Sequence, residues 1–92
     1  MGFTKESAVD AAKSDLAKRL NVKEDEIRVS STADSDFPDM SLGAPESGEM
    51  SAQMVSSGWK ISLDADGKNY EYRGDKYQLR LRDLNGKNIK VG

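Results

Sequence analysis

Apolar positions near the start of the chain recur at intervals of three and four. In "KESAVDAAKSDLAKRL" they are Val9, Ala12, Leu16 and Leu20, which draw one stripe along a helix. Thr4 stands where a capping side chain is wanted, and Phe3 is placed to staple back onto Ala8. Glu6 falls in the first turn, where the helix dipole favours an acid, and Lys18 and Arg19 fall in the last. Asn21 suits a left-handed stop. The polar face mixes both signs, whereas a helix lying on a membrane would be basic there. The stripe therefore predicts core.

Beyond the charged turn "VKEDE" the period changes to two. "IRVSSTA" alternates Ile27 and Val29 with polar residues, as a half-buried strand does. "MSAQMVSS" and "GWKISLD" read as two strands around a Ser-Ser-Gly turn, with Trp59, Ile61 and Leu63 on one face. "DADGK" is a hairpin turn of the Asp-Gly kind, and "NYEYR" then sets Tyr70 and Tyr72 together. After "GDK", the run "YQLRLRDL" points Tyr77, Leu79 and Leu81 inward and Arg80 and Arg82 outward. Asn85-Gly86 closes a last short hairpin with "NIKV". One helix followed by hairpin-linked strands predicts an α+β domain over residues 1–92. Its N-terminal helix packs across a twisted antiparallel meander of four to five strands.

One stretch has no period. Residues 34–50 include "FPDMSLGAPESGEM", and connections of this length are usually functional or disordered. Phe37, Met40 and Leu42 are apolar anchors that a flexible linker would lack, and Pro38 and Pro45 stiffen the path. Gly43 and Gly48 supply bends. The expectation is a loop pinned at Phe37-Pro38 and Leu42, with a mobile, exposed acidic end over Glu46–Glu49. A lid sealing the open end of the sheet is the plain structural role for such a loop; a partner surface is the functional one.

Composition narrows the chemistry. The chain has no cysteine and no histidine, which removes disulfides, thiol nucleophiles and the commonest general base and transition-metal ligand. No catalytic residue, metal site or cofactor is assigned, and the expectation is a protein that is not an enzyme. No apolar run is long enough to span a bilayer. "MGFTKES" lacks the apolar core of a signal peptide, and Glu6 stands where myristoylation wants Ser or Thr. Charge is uneven: residues 1–67 carry a net −6 and residues 68–92 a net +4. Two such halves neutralise each other when packed together.

Four short patterns carry possible chemistry. "DADG" resembles a calcium loop, yet Arg73 then occupies the position of the bidentate glutamate, so it is a turn. Asp34, Asp36, Asp39, Glu46 and Glu49 are read as a solvated acidic loop rather than a cation site. Arg73, Lys76, Arg80, Arg82, Lys87 and Lys90 with three tyrosines raise single-stranded nucleic acid as a partner. Alternation sets the tyrosines on the face opposite the arginines, which disfavours it. "QMVSSG", from Gln53 to Gly58, is similar to the Gln-x-Val-x-Gly hairpin that cystatins wedge into cysteine-protease clefts, with one residue too many before the glycine.

"FPDMSLGAP", a following Gly, a Gln, "GWKISL" and "YEYR" together resemble a family of small uncharacterised prokaryotic proteins, over about Val9 to Arg73. The resemblance implies a cystatin-like or PepSY-like helix-on-sheet shape and an exported or envelope-associated protein. It brings no catalytic residues, and Ala44 stands where the family's pattern has a cysteine. The leading expectation is a monomeric, non-catalytic binding domain with a protein partner. Its partner-binding residues are Glu46, Ser47, Glu49, Gln53, Val55 and Gly58, on a scaffold anchored by Phe37, Pro38, Leu42, Gly43 and Pro45. A cystatin-like inhibitor using the Gln53–Gly58 hairpin is the alternative, and a nucleic-acid binder the third reading.

Overall fold

Thr4 caps the helix reciprocally with Ser7: the Ser7 N–H donates to the Thr4 hydroxyl at 3.1 Å, and the Thr4 N–H to the Ser7 hydroxyl at 2.8 Å. Helix α1 (Lys5–Leu20) starts there and ends at Asn21, whose φ of 56° is the left-handed stop. The structure, a computed structural model, describes residues 2–92; Met1, where the leader reading begins, lies outside the described residues. A single 3-10 turn, Glu24–Glu26, leads into the sheet.

Five strands follow: β1 (Arg28–Phe37), β2 (Ser56–Ala65), β3 (Lys68–Gly74), β4 (Leu79–Leu84) and β5 (Lys87–Lys90). They pair antiparallel in chain order, a meander with β1 and β5 at its edges. Asp66-Gly67 and Asn85-Gly86 have positive φ at both positions, as the tightest hairpin turns require. In the β3–β4 turn, the Asp75 carboxylate accepts from the N–H groups of Tyr77 and Gln78.

The core lies between α1 and one face of the sheet. Ile61, Leu63, Tyr72, Leu79 and Leu81 are wholly buried there, beneath Ala8, Ala12 and Leu16. The buried stripe is thus Ala8, Ala12, Leu16 and Ala17, while Val9 and Leu20 flank it half-buried. Alanines at three of these four positions let the helix sit close to the strands, which larger side chains would hold away. One polar group enters this layer. The Tyr72 hydroxyl donates to Asp15 at 2.7 Å, and Arg19 donates to the same carboxylate oxygen at 2.6 Å. Burial and that bond push the Tyr72 phenol well above its usual range.

Several expectations are corrected. β1 runs to Phe37 instead of ending near Ala33. Residues 51–55 are not a strand, and Ser56–Ala65 is one continuous strand, so no hairpin forms over Gln53–Gly58. Gly58 lies inside β2 opposite Ser35, where a Cβ would overlap the Gly74 carbonyl oxygen. The glycine therefore serves a close approach of strands rather than a wedge-shaped turn. Tyr77 belongs to the β3–β4 turn and is exposed, because β4 begins only at Leu79.

Candidate functional site

Part of the second face of the sheet, around Phe37, Arg73 and Arg80, is covered by chain instead of solvent. Residues 38–55 connect β1 to β2, and their first part folds back as a strap across the face opposite α1. Alternation assigns Phe37, Arg73 and Arg80 to that face. Arg73 stacks over the Phe37 ring at 5.4 Å and donates through Nη1 to the Leu42 carbonyl at 2.9 Å. Arg80 donates to the Ala44 carbonyl at 3.1 Å, the Gln78 side chain reaches the Met40 carbonyl, and Asn88 reaches the Pro45 carbonyl. A strap without secondary structure needs partners for its carbonyls, and these side chains supply them.

Its bend is built around Asp39. One carboxylate oxygen accepts from the Ser41 N–H at 2.9 Å, the Ser41 hydroxyl at 2.6 Å and the Gly43 N–H at 3.1 Å. The Ser41 hydroxyl above all holds that carboxyl below its usual range. Leu42 and Gly43 then take φ of 61° and 66°, a conformation costly for a leucine and compensated by complete burial of its side chain. Phe37, Ser41, Leu42 and Ala44 are all buried, so this end is docked.

The acidic end is also held. Arg80 grips Glu49 with both Nη groups, one of them at 2.7 Å, and the Arg80 side chain is only 2% exposed. The Arg80 guanidinium, helped by the Glu46 N–H, depresses the Glu49 carboxyl to about 2. Residues 46–49 are exposed as expected, but the end is not free: Glu49 is bound by Arg80 and closes a turn with Glu46, so the expectation of an unanchored tip is corrected. Arg80, expected to point into water, points into this second interface.

Several apolar side chains are among those the strap leaves outside. Of the six exposed large hydrophobic side chains among the described residues, Met40, Met50, Met54 and Val55 belong to residues 38–55. A fifth, Tyr77, sits beside them: the Met40 N–H donates to the Ala52 carbonyl, and Gln78, next to Tyr77, donates to the Met40 carbonyl. Met50 is 95% exposed, Val55 72% and Tyr77 79%. Met40 follows β1 closely, Val55 immediately precedes β2 and Tyr77 lies in the β3–β4 turn, so these three stand at the end of the sheet where β1 and β3 finish and β2 and β4 begin. Met50 and Met54 lie on the run that leads to Val55.

Of the residues expected to meet a partner, Glu46, Ser47, Gln53 and Val55 are exposed along the strap and its run into β2. Glu49 is engaged by Arg80, and Gly58 is enclosed between strands. Of the anchors, Phe37 and Leu42 are buried, Gly43 is half-buried, and Pro38 and Pro45 are exposed. The sequence reading raises Arg73 and Arg80 only as part of a basic surface and misses their hold on the strap, and it takes Met40 for an anchor although that side chain is exposed. Arg73 and Arg80 had a usable signal, since both fall on the polar face of adjacent strands while the long connection is rich in acids. The acidic residues do not converge: Asp34 pairs with Lys5, Asp36 accepts from Ser57, Asp39 closes its own turn and Glu49 binds Arg80.

Residues 9–82 match the family described as a domain of unknown function, DUF8738, and the chain belongs to that family. No curated protein and no solved structure matches it.

Proposed function

We propose that the protein is a non-catalytic interaction domain, acting as a monomer, that binds a protein partner through the apolar end of the strap. The observation that carries this reading is the exposure of Met40, Met50, Met54, Val55 and Tyr77 on and beside one connection, with Met40, Val55 and Tyr77 at one end of the sheet. Exposed apolar side chains scattered singly need no explanation, whereas a gathered set favours association. Methionine suits such a surface, because its unbranched, polarisable side chain adapts to a partner's contour. The strap is tied down over Met40–Pro45 by Arg73, Arg80, Gln78 and Asn88, and the Met40 N–H holds the Ala52 carbonyl, which lowers the cost of ordering the surface on binding. Glu46, Ser47 and Gln53 supply a polar rim.

The test is site-specific photo-crosslinking in extracts of the cells that make the protein. A photo-reactive residue replaces Met54, and a control copy carries it at Lys13 on the helix. A discrete protein adduct from position 54, lost on Met50→Ser with Val55→Ser, is expected. Equal adducts from both positions, or none from position 54, would overturn the reading.

A further inference from the structure

The first strand has one neighbour, and its other side is open. Among the described residues β1 pairs only with β2 and is the edge of the sheet. It is ten residues long, and every position from Arg28 to Asp34 is exposed. The opposite edge, β5, has four residues, and its Asn88 is engaged by the strap. Natural sheets usually keep their edges short or covered; a long bare edge presents a row of unpaired N–H and C=O groups that another strand can complete.

The side chains of β1 say what kind of strand fits. The register slips between Val29 and Ser31, and beyond the slip alternation is regular. Thr32, Asp34 and Asp36 stand opposite Ile61, Trp59 and Ser57, hence on the helix side of the sheet. Two carboxylates two residues apart, both exposed, line that side of the free edge. Ser31, Ala33 and Ser35 stand opposite Ser62, Lys60 and Gly58, hence on the strap side. They are small and leave room for larger side chains on an added strand. Residues 24–26, just before β1, add three more exposed carboxylates. Lys5 bonds Asp34 at 3.2 Å but leaves the Asp34 side chain 84% exposed.

We infer that the free edge of β1, over Ser31–Phe37, receives an extended segment of a partner protein by strand addition. That segment carries Lys or Arg at alternate positions to face Asp34 and Asp36, with bulky apolar residues between them over Ser31, Ala33 and Ser35. Opposite charges directly across a strand pair stabilise it, and like charges oppose it. A second copy of the chain is a poor occupant for that reason. It would bring its own acids, and the slip at Val29–Ser31 puts Arg28 on the strap side, away from Asp34 and Asp36. The same carboxylates thus reject self-pairing and select a basic strand. The inference rests on the proposed function only in taking the partner to be a protein.

The experiment pans a displayed library of random decapeptides against the whole protein, then maps the winning synthetic peptide by amide hydrogen exchange and chemical shift. The expected winners alternate basic with β-branched or aromatic residues, and they protect alternate amides of Ser31–Phe37. Asp34→Lys with Asp36→Lys is expected to weaken binding tenfold or more while the circular dichroism of the fold is kept. The Met50→Ser, Met54→Ser, Val55→Ser variant is expected to bind the peptide as wild type does. Loss of the patch in the crosslinking experiment and loss of the edge here are therefore separate outcomes. No winners, winners with helical or acidic patterns, self-association through β1, or protection elsewhere would each overturn the inference.

Discussion

Glu49 and Arg80 fasten the acidic end of the strap, and a double-mutant cycle isolates what they contribute. Glu49→Gln keeps the shape of the side chain and removes its charge. Arg80 then keeps the Ala44 carbonyl and the Gln78 side-chain oxygen as acceptors but loses its counter-ion. Removing one partner of a fully buried pair costs about 3–5 kcal/mol. Here the Arg80 side chain is 2% exposed and that of Glu49 28%, so water recovers part of the loss on the Glu49 side. The expected cost is about 1–3 kcal/mol, with a coupling energy of similar size when Arg80→Met is combined with it. Urea unfolding followed through the single tryptophan, Trp59 in β2, reads the stability. Amide exchange over residues 38–49 reads the strap itself, and it should quicken more than exchange in the helix. A coupling energy below about 0.3 kcal/mol, or unchanged exchange in the strap, would refute the view that this pair holds it.

Three further outcomes are expected. Leu16→Ala, at a wholly buried position under the sheet, should cost about 2–5 kcal/mol in urea unfolding, and an equally stable variant would defeat the helix placement. Gly58→Ala should destabilise by about 1–3 kcal/mol, because the new methyl meets the Gly74 backbone rather than a movable side chain; an unchanged midpoint would count against that close contact. The Glu49 carboxyl is depressed from 4.5 to about 2, so its contribution is whole above about pH 4.5 and is lost as pH falls through about 2. Exchange from the strap should accordingly stay slow from pH 7 to 5 and lose protection in acid, with the Glu49→Gln variant lacking that step after correction for intrinsic rates.

The helix and its caps were legible because the interactions that define them are local. Thr4, Lys18, Arg19 and Asn21 act within a turn of their own positions. The two hairpins at Asp66-Gly67 and Asn85-Gly86 were legible for the same reason. Strand β1 was cut short because Asp34, Ser35 and Asp36 have poor intrinsic strand preference. What extends it is long-range: Asp36 meets Ser57, and Phe37 is buried beneath Arg73 at the far end. The missing hairpin at Gln53 has a matching cause. Ser56, Ser57 and Gly58 look like a turn by composition, yet each pairs with a residue of β1 near Phe37, and pairing prevails over local preference.

The candidate site was half legible. Phe37 and Leu42 announced that the connection docks, since apolar residues in an irregular segment need somewhere to go. Where it docks was hidden, because the receiving surface looks polar in sequence. Alternation says only that Arg80 lies opposite Leu79 and Leu81; it equates that side with solvent unless a second layer exists. The strap is that layer, and its own carbonyls make an arginine-lined face suitable, because each carbonyl must find a donor once water is displaced. Covering the sheet in this way has two consequences for the exterior. The apolar side chains that find no place beneath the strap, Met50, Met54 and Val55, are left outward on the run into β2. The strap also occupies the part of the face around Arg73 and Arg80 and leaves the outer edge of β1 open. Phe37 joins the two: it is the last residue of the edge strand and the first anchor of the strap.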